Sequence, residues 1–180
     1  MSRGVVLCSG RCGSTTFGAA AAHCTNSTSE QESQNHRIGP TRLDYPDQHI
    51  EIDNRLSWML GKMEQTFGDS PCYVHLLRDP EAVARSFAVR QKFGLMNAYR
   101  EGILLKHFSR SPDLPILDVA RDLLDTITSN ISGFLQTKSK VMTMHVETME
   151  ADFPRFWQWI GATGDLTAQW GTLHNATKGT

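Results

Sequence analysis

Four short apolar runs, Val5–Cys8, His49–Asp53, Tyr73–Leu77 and Val141–Val146, read as buried strands. The stretches between them carry helical spacing. Leu56, Met59, Leu60, Met63 and Phe67 fall at i, i+3, i+4, i+7 and predict a helix over Leu56–Phe67 with one buried face. Pro80–Phe93 opens with proline at a first helical position, Leu117–Leu135 reads as a long amphipathic helix, and Phe153–Ile160 as a short aromatic one. Strands alternating with helices predict one α/β domain over residues 1–180, three layers deep, in which a mostly parallel sheet of about four to five strands is flanked by helices. The polar, turn-rich segment Thr25–Gln48 interrupts that rhythm. It reads as a loop over the sheet or as a lid.

Ligands of parallel sheets collect at the carboxyl ends of the strands, which directs attention to residues 9–16, 53–55 and 78–80. The first of these reads Gly10-Arg11-Cys12-Gly13-Ser14-Thr15-Thr16, and an alanine-rich stretch follows. Glycines let backbone N–H groups converge on an anion, the start of the following helix adds partial positive charge, and three consecutive hydroxyls can donate to it. The lysine of a nucleoside-triphosphate loop is missing, so Arg11 is the cation of the turn. At the third strand end Arg78 precedes Asp79-Pro80, a natural N-cap and first helical residue, with Ser86 about two turns into the helix. Arg78 and Ser86 so placed suit a second phosphate, some distance from the first. At the middle strand end, His49, Glu51 and Asp53 share one face of an alternating strand. His75, inside the third strand, reads as a structural histidine.

The run Gly10-Arg11-Cys12-Gly13-Ser14-Thr15 at an N-terminal strand end, with Arg78-Asp79-Pro80 and Ser86 downstream, resembles the sulfotransferases that use 3′-phosphoadenosine 5′-phosphosulfate (PAPS). Val141–Glu150 also resembles the late strand and acidic turn of that family. The resemblance implies a fold like that of the P-loop nucleoside-triphosphate hydrolases. It implies that Gly10, Arg11, Cys12, Gly13, Ser14, Thr15 and Thr16 hold the 5′-phosphosulfate, and that Arg78 and Ser86 hold the 3′-phosphate. Family members often return a late basic, glycine-containing loop to that phosphate, which makes Lys178 a further candidate. Arg11 would also stabilise charge on the departing 5′-phosphate.

Sulfuryl transfer to an alcohol needs a base, a histidine or glutamate near the end of the second strand in this family. Many bacterial members read Glu-Lys-[ST]-Pro there, whereas this chain reads Glu51-Ile52-Asp53-Asn54-Arg55. Counting from Phe67 favours Glu51, and counting back from Arg78 favours Asp53. Position at the carboxyl end ranks Asp53 first, Glu51 second and His49 third. The implied products are adenosine 3′,5′-bisphosphate and a sulfated small-molecule or glycan acceptor. Two other classes stay open: a phosphotransferase on the same scaffold, and a nucleotide-binding module without chemistry.

A net charge of −1 excludes a global field for nucleic acid or anionic membranes, so any anion site is local. No His, Cys or carboxylate spacing requires a metal. The four cysteines lack metal spacing and two lie in or beside the glycine turn; with neither a signal-like nor a membrane-spanning stretch, reduced thiols and a cytoplasmic location are expected. The sequons at Asn26, Asn130 and Asn175 then read as chance matches. Arg90–His107 mixes aromatics with cations and suits the acceptor side. The chain is short for the family, so a homodimer that completes the acceptor pocket is also open.

Overall fold

A computed structural model of the chain describes residues 2–105 and 114–165. Five strands form one sheet: β1 (Gly4–Leu7), β2 (Thr28–Gln31), β3 (His49–Ile52), β4 (Cys72–Leu77) and β5 (Val141–His145). Their order is β2-β3-β1-β4-β5, and every neighbouring pair is parallel. Six α-helices lie among the described residues: α1 (Ser14–Ala21), α2 (Leu60–Phe67), α3 (Pro80–Val89), α4 (Gly94–Ala98), α5 (Ile116–Leu135) and α6 (Met149–Ile160). The fold is therefore the expected three-layer α/β arrangement.

Alternation along the strands divides the core in two. Val5, Leu7 and Tyr73 face α2, α3 and α5, packing against residues such as Leu123 and Ile127. Val6, Ile50, Ile52, Val74, Leu76 and Met144 face α1 and α6. There Phe17 meets Phe153 and Phe156 edge-on, with ring centroids 5.3 and 5.0 Å apart.

Three elements differ from the sequence pattern. Within Thr25–Gln48 the structure has a strand, β2, and a 3-10 turn, Gly39–Leu43. Strand β2 is an edge strand of sequence TSEQ, largely exposed, so it carries no apolar alternation to betray it. The expected helix Leu56–Phe67 is split into a 3-10 turn, Asn54–Trp58, and α2, because Met59 leaves helical geometry at φ −121°. Helix α6 starts at Met149 rather than Phe153 and contains Pro154, which loses one backbone hydrogen bond inside the helix instead of marking its start.

His75 lies buried in β4 beside His145 of β5. Burial, and then the His145 charge, push its imidazole down to about 4. The folded value lies below the unfolded one, so the neutral ring's contribution is complete above the ordinary histidine range and is lost as pH falls toward 4. Denaturant titrations of the wild type and His75→Gln at pH 7 and pH 4 should differ accordingly. Between these pH values the wild type is expected to lose about 3 kcal/mol more than the variant. Equal losses would remove His75 from the acid sensitivity of the fold.

Candidate functional site: an arginine-rich anion cradle

Between β1 and α1 the chain turns through residues 8–13. Gly10, Arg11 and Gly13 all take left-handed backbone, at φ 84°, 60° and 84°. Such residues let neighbouring N–H groups face a common concavity. The loop is also wedged. A Cβ on Gly10 would stand 2.9 Å from Asn54 Nδ2, and one on Gly13 would stand 2.3 Å from Val146 Cγ2. Gly13→Ala is therefore expected to displace the β1–α1 loop by collision with Val146 and by its positive φ. If the loop holds an anion, affinity for inorganic sulfate measured by calorimetry should fall at least about tenfold, with the far-ultraviolet dichroism of the sheet and helices retained.

Gly13 is the N-cap of α1, and no side chain caps the helix there. An uncapped helix start of this kind suits an anion. The Ser14 and Thr15 hydroxyls accept hydrogen bonds from Gln31 Nε2 at 3.1 and 3.4 Å. Thr16 is buried on the inner side of α1, and Cys12 is buried beneath the loop. Gln31 belongs to β2, the strand hidden in the polar segment, so sequence reading had no signal for it.

Two distant segments converge on Arg11. Its Nε donates to Ser86 Oγ at 2.9 Å, and Arg78 Nη1 donates to the Arg11 carbonyl at 3.1 Å. Partial burial, then Arg90 and Arg78, lower the Arg11 guanidinium from its ordinary value. Three like charges thus crowd one corner. Arg90 stands one helical turn beyond Ser86, a spacing legible in the sequence. Lys178 lies outside the described residues, as do Lys106 and His107 of the segment expected on the acceptor side.

The three candidate bases occupy one face of β3 and its end, all buried. Glu51 is enclosed in a polar chain. It accepts from Ser33 N at 2.9 Å and Ser33 Oγ at 2.5 Å, and lies 3.0 Å from His49 Nε2. His49 Nδ1 in turn meets Thr28 Oγ1 at 2.7 Å, and the Tyr45 ring stacks on its imidazole. Asp53 stands nearest the carboxyl edge. Its Oδ1 accepts from Arg55 N at 2.8 Å, and its Oδ2 forms a buried ion pair with Arg42. Burial raises the Asp53 carboxyl above the ordinary range even though Arg42 and the Arg55 N–H pull it down. The Asp53 charge also reaches Cys8 in the glycine loop, so β3's end and the cradle share one electrostatic neighbourhood. Ser33, Arg42 and Tyr45 are partners that the polar segment supplies and that its sequence did not announce.

A cavity of about 480 Å³ lies beside the cradle, lined by Ser9, Leu77, Arg78, Val83, Leu124 and His145 among others. Among the described residues, no group of three or more His, Cys, Asp or Glu is placed to hold a metal ion. None of the described helices is long and apolar enough to cross a membrane.

No family model matches the chain, and none of the curated proteins does. Among solved structures, a sulfotransferase domain from the curacin biosynthetic pathway superposes with a TM-score of 0.63. The match covers 90% of this chain and 74% of that one, at 14% sequence identity. The chain shares its fold with that sulfotransferase domain. At this identity the likeness concerns architecture, and the chemistry rests on the cradle itself.

Proposed function

We propose that the protein is a sulfotransferase that uses PAPS as donor and a hydroxyl or amine of a small molecule or glycan as acceptor. The observation that carries this reading is the convergence of Arg11, Arg78 and Ser86 from two strand ends onto one corner. Crowded arginines at an uncapped helix start form a donor set suited to a doubly phosphorylated nucleotide. Loop N–H groups, Arg11, Ser14 and Thr15 would hold the 5′-phosphosulfate, and Arg78 with Ser86 the 3′-phosphate. The cavity beside Arg78 is within the size range of small-molecule sites.

In the reaction, Asp53 takes the proton of the acceptor as its oxygen or nitrogen bonds to sulfur. The bond from sulfur to the 5′-phosphate oxygen breaks, and Arg11 and the loop N–H groups stabilise the charge left there. A carboxyl raised by burial is a stronger base than an ordinary one, which favours Asp53 for this step.

Calorimetry tests the donor. Adenosine 3′,5′-bisphosphate should bind at least about tenfold more tightly than ADP or ATP, without Mg²⁺. Equal affinity for ADP, or a Mg²⁺ requirement, would overturn the reading in favour of a phosphotransferase. Tight bisphosphate binding with no turnover across an acceptor screen with labelled PAPS would leave a nucleotide-binding module.

A further inference from the structure

The parallel register of β2 and β3 sets Thr28 beside His49 and Glu30 beside Glu51. His49 and Glu51, two positions apart, share one face of β3. A chain of side chains results. Thr28 Oγ1 stands 2.7 Å from His49 Nδ1, and His49 Nε2 stands 3.0 Å from Glu51 Oε2. After β2 the backbone turns at Glu32, φ 56°, and Ser33 reaches back to Glu51, its N at 2.9 Å and its Oγ at 2.5 Å. Glu51 is fully buried, His49 is nearly so, and Thr28 is open to solvent. An exposed hydroxyl, a histidine and a buried carboxylate thus follow in the order that activates a nucleophile.

The protons of this chain fit that order. A carboxylate only accepts, so His49 donates to Glu51 through Nε2–H, and Nδ1 is left to accept from the Thr28 hydroxyl. The Tyr45 ring, stacked on the imidazole with centroids 5.7 Å apart, holds the plane of the histidine.

We propose that Thr28 is a nucleophile that takes the acyl group of activated carboxylic esters and passes it to water. Among the described residues, no arginine or lysine bonds to Thr28, His49 or Glu51. A phosphoryl or sulfuryl group would meet no counter-charge there, whereas an uncharged acyl carbon needs none. Because Thr28 is exposed on an edge strand, the substrates are esters with good leaving groups, such as phenyl esters. Thr28 Oγ1 bonds to the carbonyl carbon as its proton passes to His49 Nδ1. The bond from that carbon to the leaving oxygen breaks, and His49 returns the proton to that oxygen. Water then gives a proton to the same nitrogen and bonds to the acyl carbon; the bond to Thr28 breaks, and Thr28 Oγ1 recovers the proton. Ester and water become acid and alcohol. Glu51 is the positioning residue that keeps the histidine proton on Nε2. No step uses the glycine loop or Asp53, so the inference stands apart from the donor reading.

The test incubates the full chain with p-nitrophenyl acetate, follows release of p-nitrophenolate and maps acetylated peptides by mass spectrometry. A burst of about one phenolate per chain, acetyl on Thr28 and slower turnover afterwards are expected. Thr28→Val should abolish the burst, Thr28→Ser should keep it, and His49→Gln should slow acylation by about 10²-fold or more. Nitrogen NMR shifts of His49 should place the proton on Nε2 in the wild type. In Glu51→Gln the proton should move to Nδ1 and the burst should be lost. Should His49→Gln or Glu51→Gln fail to fold, the two Thr28 variants, at an exposed position, and the wild-type histidine shifts decide the matter. Acetyl on other residues with Thr28 unmodified, an undiminished burst from Thr28→Val, or a wild-type proton on Nδ1 would overturn the proposal.

Discussion

Asp53→Asn is expected to bind adenosine 3′,5′-bisphosphate as the wild type does and to transfer sulfuryl about 10²- to 10⁴-fold more slowly. The amide keeps the size of the carboxylate and can still accept from Arg55 N, but it cannot take a proton from the acceptor. Single-turnover transfer from labelled PAPS, with bisphosphate affinity measured on the same preparation, separates chemistry from binding. Turnover that survives in Asp53→Asn would pass the role of base to Glu51 or His49. Those two are held as well, Glu51 by Ser33 and His49, and His49 by Thr28.

The buried partner of Asp53 makes a second expectation. Arg42→Ala should destabilise the fold by about 3–5 kcal/mol, because it leaves the Asp53 carboxylate buried without its counter-charge. Arg42 also donates to the Tyr45 hydroxyl at 3.0 Å, so its removal strips a second buried group. Chemical denaturation reads the loss directly, and a cost below about 1 kcal/mol would mean that water reaches the pair. The two substitutions together form a cycle. If Asp53 serves only to seat Arg42, Arg42→Ala and Asp53→Asn should lose stability in a strongly non-additive way, and transfer by the folded fraction should survive both. If Asp53 is the base, transfer fails in Asp53→Asn at temperatures where the protein is fully folded.

Much of this architecture is legible in the chain because parallel strands buried on both faces are written as unbroken apolar runs. Val5–Leu7 and Tyr73–Leu77 announce themselves that way, and Asp79-Pro80 marks the start of α3 within a residue. The link from Arg78 to Ser86 is legible because helix spacing sets it. What the chain conceals is the polar segment. Thr28–Gln31 pairs along a single edge and has no apolar stripe to show. Arg42 finds its carboxylate eleven positions away, across a turn that no local pattern dictates. Ser33 and Tyr45 are equally silent, since burial of a polar residue depends on a partner that only the tertiary fold supplies. The alternation of β3 thus marks His49, Glu51 and Asp53 as a set, and the buried partners of each become visible only in the fold.

Strand β2 also bears on solubility. Among the described residues no strand pairs with its outer side, and an open border of this kind invites any extended segment that approaches. Brevity and polarity protect it: four residues, TSEQ, with a carboxylate at Glu30. A change as mild as Glu30→Val would leave the interior untouched, yet it would turn a guarded border into an adhesive one, and self-association would reach the protein before unfolding did.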